Sequence, residues 1–157
     1  MGTRSVVAIP TAEGWRGRYI HWDGYPQGVG ESLLLIVKRD GLDLAVKVLT
    51  EHHFGWSSVD DDAKDAHEDA SRFRFVPGYG TAYSAAEQKD RWVTFDGDNW
   101  GTEYAYVLTS EAIIVLGART DANTHAVGMF GVSPGAHWTE LGRVAYTGSM
   151  DDLMVEN

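Results

Sequence analysis

His21 and Asp23 stand two residues apart in the stretch "RYIHWDGYPQGVGES", Arg18 to Ser32. On an extended chain, residues i and i+2 share a face, and an aspartate beside a histidine orients and charges the imidazole for general-base work. Tyr19 and Tyr25 would add hydroxyls to such a cleft, and Glu31 a carboxylate. A plainer reading treats the same residues as a strand end. His21 then bonds across a sheet, Asp23 caps a turn and Trp22 anchors the core beside Ile20. Exposed aromatic side chains next to a turn also suit a protein-binding surface, where Trp and Tyr often supply the anchors. The binding reading is preferred here, and it assigns His21, Asp23 and Tyr25 to the surface end of the strand.

Other stretches look chemical and are not. "GVSPG", Gly131 to Gly135, has the spacing of a nucleophile elbow, but Pro134 follows the serine and has no N–H for an oxyanion hole. "DGDNWGTE", Asp96 to Glu103, begins like a calcium loop, yet Trp100 stands at its fifth position and Val107 at its twelfth. It reads as a turn feeding a strand. "GVGESL", Gly28 to Leu33, lacks the third glycine of a dinucleotide loop and puts Glu31 where a phosphate would sit. The six histidines form no H-x-x-x-H pair, and His52 and His53 are adjacent, pointing about 100° apart on a helix. A non-local cluster of His21, His125, His137 and acids from the Asp60 patch is the one metal arrangement left, and neither a metal nor a cofactor is expected.

The elements that would carry these residues follow from periodicity. "RSVVAI", Arg4 to Ile9, is β-branched and apolar on both faces, as in a central strand. "WRGRYIHW" reads as its antiparallel return after a Pro/Gly turn. From Gly30 the apolar period becomes helical through Leu33, Leu34, Ile36 and Val37. It resumes after Gly41 with Leu42, Ala45, Val46 and Leu49, giving two helices or one kinked at Asp40-Gly41. "RFRFV" and "RWVTF" are short strands, "GYGTAYS" is loop-like, and Thr102–Leu108 with Ala112–Leu116 make a hairpin. A final helix is placed around Trp138–Val144 or Met150–Val155. The expected fold is α+β: a mainly antiparallel sheet with two or three helices packed on one face, burying Leu34, Val46, Val107 and Ile114 between them.

A chain of 157 residues, 43% hydrophobic and 11% aromatic, suits one globular domain with a single core. Thirteen basic against 23 acidic residues leave a charge of −10, which argues against direct nucleic-acid binding and for a basic partner. Asp60, Asp61 and Asp62 open the densest acidic run and are candidate contacts with such a partner. The absence of cysteine excludes disulfides, thiolate metal sites and a Cys nucleophile. The longest apolar run, Leu33 to Val37, is far too short for a membrane span, so a cytoplasmic location is expected.

The opening "MGTRS", the run "HWDGYPQGVG" and the "TEYAYVL" hairpin resemble a group of small phage and prophage proteins. These begin with a Met-Gly-Thr-Arg-Ser-like strand and continue into a His-Trp-Asp-Gly-Tyr-Pro turn. The resemblance covers the first third of the chain and one later hairpin. It implies an accessory gene expressed in a bacterial host's cytoplasm and carries no activity. Two functions follow as expectations. One is a protein that binds a host or phage protein, including an acidic inhibitor of a basic or nucleic-acid-binding partner. The other is a small hydrolase-like enzyme using His21 and Asp23 in a cleft.

Overall fold

The computed structural model describes residues 2–51, 55–64, 73–83, 91–118 and 138–155. Nine strands form one mixed sheet: β1 (Ser5–Pro10), β2 (Trp15–Ile20), β3 (Gly55–Val59), β4 (Phe73–Val76), β5 (Gly80–Tyr83), β6 (Val93–Thr94), β7 (Tyr104–Leu108), β8 (Ala112–Ala118) and β9 (Trp138–Ala145). Their order is β4-β5-β3-β2-β1-β7-β8-β9, with β6 added to β2. Apolar residues on both faces of β1 put it where both faces are covered, between β2 and β7. The protein is α+β, but its sheet is not antiparallel throughout. β1 runs parallel to β7, and β2 runs parallel to β3. The chain between β2 and β3 contains helices α1 (Glu31–Asp40) and α2 (Leu42–Thr50), the crossover that a parallel pair requires.

Leu33, Leu34, Ile36 and Val37 of α1 form one buried cluster with Ala45 and Leu49 of α2 and with Val7, Ile20, Trp56 and Tyr106 of the sheet. A third helix, α3 (Asp151–Val155), adds Leu153 to the same cluster, next to Met150. Each fully buried aliphatic side chain here contributes about 1.5–3 kcal/mol relative to exposure. Trp56 is wholly buried and its indole N–H donates to the Leu49 carbonyl at 2.9 Å, so the ring packs without an orphaned donor. Gly41 separates the two helices at φ 88°, a left-handed conformation that favours glycine, which is why the period breaks there.

The second face carries its own core of Val6, Ala8, Trp15, Tyr19, Val93, Ala105 and Val107. Val107, expected under the helices, is buried on this side instead, and Ile114 packs beside it half-buried. The hairpin alternation was legible, but its phase relative to the helices depends on which face they cover. Leu34 lies in the helix-side core as expected, with Val46 packed half-buried at its edge. "GYGTAYS" is not a loop throughout, since Gly80–Tyr83 pairs with both β3 and β4. Gly80, at φ 140°, stands where an added Cβ would lie 2.1 Å from the Ser58 carbonyl oxygen, so a residue typical of turns serves a close strand contact. Trp138–Ala145 is a strand paired to β8, leaving only the Met150–Val155 alternative for the last helix. "GVSPG", "AVGMFGV" and the histidines other than His21 lie outside the described residues.

Candidate functional site

β2 delivers Tyr19 to the face away from the helices and Ile20 to the helix side. The strand ends there, but its pairing continues, with His21 and Trp22 N–H groups donating to the Trp56 and Ser57 carbonyls at 3.0 Å. Asp23 then adopts φ 57° and turns the chain. The turn is pinned onto the segment leading into β1 and onto β7. The Gly24 N–H donates to the Thr3 carbonyl at 2.8 Å, and the Tyr106 hydroxyl donates to the Gly24 carbonyl at 2.5 Å. A Cβ on Gly24 would meet Ser5 Oγ at 2.6 Å, so only glycine lets the turn sit this close. The chain then enters a π-helical turn, Pro26–Gly30, and α1.

Trp22 is not the buried anchor that alternation with Ile20 predicts; it is 45% exposed. The alternation stops with the strand, and the ring instead lies over Gly2 and meets the His21 ring edge-on at 4.6 Å between centroids. Tyr25 is exposed in the turn.

His21 Nδ1 lies 2.8 Å from the Tyr19 hydroxyl. No hydrogen bond or ion pair among the described residues joins His21 to Asp23, so the imagined dyad is not assembled. Burial, followed by the positive charge of Arg4, holds the His21 imidazole below its ordinary 6.5 and keeps it neutral at pH 7. A neutral ring has one N–H and one acceptor nitrogen, so Nδ1 either accepts from the Tyr19 hydroxyl or donates to it, and Nε2 takes the other role. Glu31, imagined in the same cleft, is engaged elsewhere: its Oε1 accepts from the Met150 N–H at 2.8 Å and the Ser149 hydroxyl at 3.2 Å.

Two clefts meet at His21. One, of about 230 Å³, is walled by Tyr19, Tyr83, Arg91 and Trp100. The other, of about 480 Å³, is walled by Gly2, Arg4, Trp22, Gly101 and Glu103. Buried Arg18 positions the first, donating to the carbonyls of Thr50 and Arg91 at 2.8 Å. The Arg91 guanidinium lies 4.2 Å from the Trp100 ring centre, within cation–π range. Trp100 itself is held at φ 55° by a turn in which Asp98 Oδ1 accepts its N–H at 2.8 Å. "DGDNWGTE" is therefore a turn, as read from its sequence, and it presents a 42% exposed tryptophan.

Arg4, Tyr83, Arg91 and Trp100 were missed because their positions come from pairing between distant segments. The available clue was a tryptophan between Asn99 and Gly101, a turn that offers little apolar shelter. Asp60–Asp62 form a separate feature. Asp61 accepts from Ser32 at 3.1 Å, Arg39 donates to the Asp61 carbonyl at 3.0 Å, and Asp60 Oδ1 accepts the Asp62 N–H at 3.0 Å. Asp60 and Asp62 remain exposed; the triplet is a tied turn against α1. Among the described residues, no group of three His, Asp or Glu side chains converges as a metal site, and no helix is long and apolar enough to cross a membrane. No family model, curated protein or solved structure matches the chain.

Proposed function

We propose that the chain is a phage- or prophage-encoded accessory protein that acts in the bacterial cytoplasm by binding a host or phage protein. The observation that carries this reading is the exposure of Trp22 and Trp100 in the walls of the His21 clefts and of Tyr25 in the turn that follows, each above 40%. Large aromatics left in water lose favourable burial, and an interface restores it through the residue types that dominate binding hot spots. The charge of −10 supports a basic or nucleic-acid-binding partner, because long-range attraction speeds encounter. Asp60 and Asp62 lie on a turn where they can add to that field. The competing hydrolase-like reading loses support from the missing His21–Asp23 bond.

The test is capture from a bacterial lysate, followed by titration of the purified partner against wild type and a Trp22→Ala/Trp100→Ala variant. Loss of more than about tenfold in affinity, with the thermal transition nearly unchanged, is the expected result. Full affinity in the folded double variant sinks the reading.

A further inference from the structure

The first of the His21 clefts, of about 230 Å³, is a preformed pocket on the sheet face away from the helices. Tyr19 is buried in its wall, and the Tyr19 hydroxyl lies 2.8 Å from His21 Nδ1, so each ring holds the other in place. Tyr83 packs against the Phe73 ring, 5.6 Å away between centroids. Trp100 is fixed by its own turn, and the Arg91 guanidinium lies over its ring. Four aromatic rings and one cation line this space, and no carboxylate stands among its described wall residues. The positive field extends beyond the wall. At His21, burial and then Arg4 both favour the neutral ring; at Tyr19, burial raises the hydroxyl pKa and Arg4 opposes it. In a chain of net charge −10, this is a local reversal of sign.

We infer that this cleft binds a small aromatic carboxylate, one planar ring system carrying a single acid group. Size limits the occupant, because drug-sized ligands take clefts of about 300–1,000 Å³ and this one is smaller. The ring follows from the walls, since aromatic side chains pack well against a further ring, offset or edge-on. The charge follows from Arg91. A guanidinium has five N–H donors, more than one partner fills, and a carboxylate takes two of them side by side. An aromatic cage with no cation of its own selects an ammonium guest. Here Arg91 already occupies the Trp100 ring, and Arg4 adds its field. The net charge of −10 repels an anion at long range, but salt screens that repulsion beyond about 8 Å, and Arg91 acts at contact. The inference goes beyond the protein-binding reading and does not depend on it.

Benzoate, benzamide and benzamidinium share one shape and differ in charge, which makes them the probes. Each is titrated into the folded full-length chain and followed by the indole N–H resonance of Trp100. Benzoate should shift that resonance saturably, with a Kd of about 1 mM for so small a ligand. Benzamide should bind about tenfold more weakly, and benzamidinium more weakly still. Arg91→Gln should bring benzoate down to the level of benzamide. Arg91→Lys, which keeps the charge and loses the fork, should retain part of the preference. Tyr83→Ala should weaken benzoate and benzamide by the same factor. No saturable shift with benzoate, benzoate no tighter than benzamide, benzamidinium as tight as benzoate, or a benzoate preference that survives Arg91→Gln would each overturn the inference. The wild-type series decides even where a variant fails to fold. Partner capture is scored separately: a failed benzoate titration leaves the protein-binding reading standing, and loss of that reading leaves this site untouched.

Discussion

The two faces of the sheet are finished differently. On one, Leu33, Leu34, Leu49 and Trp56 close a continuous core under three helices, and every one of them is wholly buried. On the other, Val6, Ala8 and Val107 begin a core that opens toward its rim into the Tyr19–His21 clefts. Trp56 and Trp22 make the contrast concrete, because they lie on neighbouring stretches joined by backbone bonds. His21 donates to the Trp56 carbonyl, and Trp22 donates to the next one along. One indole is enclosed with its N–H satisfied; the other is nearly half in water. Residue type is the same, and the location relative to the helix layer separates structure from surface.

The sharpest way to break that contrast is to truncate the enclosed ring. Trp56→Ala removes the largest wholly buried side chain and strands the Leu49 carbonyl, so it should cost about 3–5 kcal/mol in a urea titration. A cost under about 1 kcal/mol would mean the helix layer does not seal this face. Val107→Ala tests the opposite face. Losing two methylene equivalents from a 4% exposed position should cost about 1–3 kcal/mol. If Val107→Ala proves neutral, the second face has no core and the contrast is deeper than drawn here.

Legibility in the sequence divides along the same line. β1, β2, α1, α2 and the Tyr104–Leu108 hairpin were readable because each repeats one period over several residues, bounded by Gly or Pro. Gly80–Tyr83 was not, since its glycine serves a close strand contact and its alternation is only four residues long. Trp138–Ala145 carries Leu141 and Val144 at a spacing that fits a helix as well as a strand with a shifted register. The candidate site was half legible. His21 was identified and its neighbourhood to Tyr19 followed from alternation, but Asp23 turns away at φ 57° and Trp22 escapes the core. Arg4, Arg91 and Trp100 reach the clefts through the parallel β1–β7 pairing and the Arg18 brace, long-range contacts that no local pattern encodes.

Trp22→Ala sharpens the contrast from the rim. Its exposed ring touches Gly2 and His21 rather than the helix core, so its loss should change stability by no more than about 1 kcal/mol while weakening partner binding. Differential scanning calorimetry on wild type and variant measures the first quantity. A drop as large as that of Trp56→Ala would make the rim part of the architecture and leave no distinction between the two tryptophans.

The smallest expected effect is the most specific to the rim, and it comes from His21 itself. Its ring is partly buried and stands near the Arg4 cation, so the folded protein takes up the His21 proton at lower pH than the unfolded chain does. The groups around it are the Tyr19 hydroxyl at 2.8 Å, the Trp22 ring edge, Tyr83 and Arg91 in the wall of the first cleft, and Arg4 and Glu103 in the wall of the second. Below the ordinary value of 6.5, the unfolded state holds more protons than the folded one, and stability must fall as pH falls. The loss continues until pH has passed below the folded-state value, and it is absent at higher pH, where the ring is neutral in both states. In the protonated ring both nitrogens donate, so the Tyr19 hydroxyl then accepts from Nδ1. Urea midpoints from about pH 8 to about pH 5 should therefore decline more steeply in wild type than in His21→Gln, while the two remain parallel above neutrality. Every other titrating group is common to both proteins, so the difference between the curves isolates His21. Parallel curves over the whole range would place the imidazole in water, with neither burial nor the Arg4 charge acting on it.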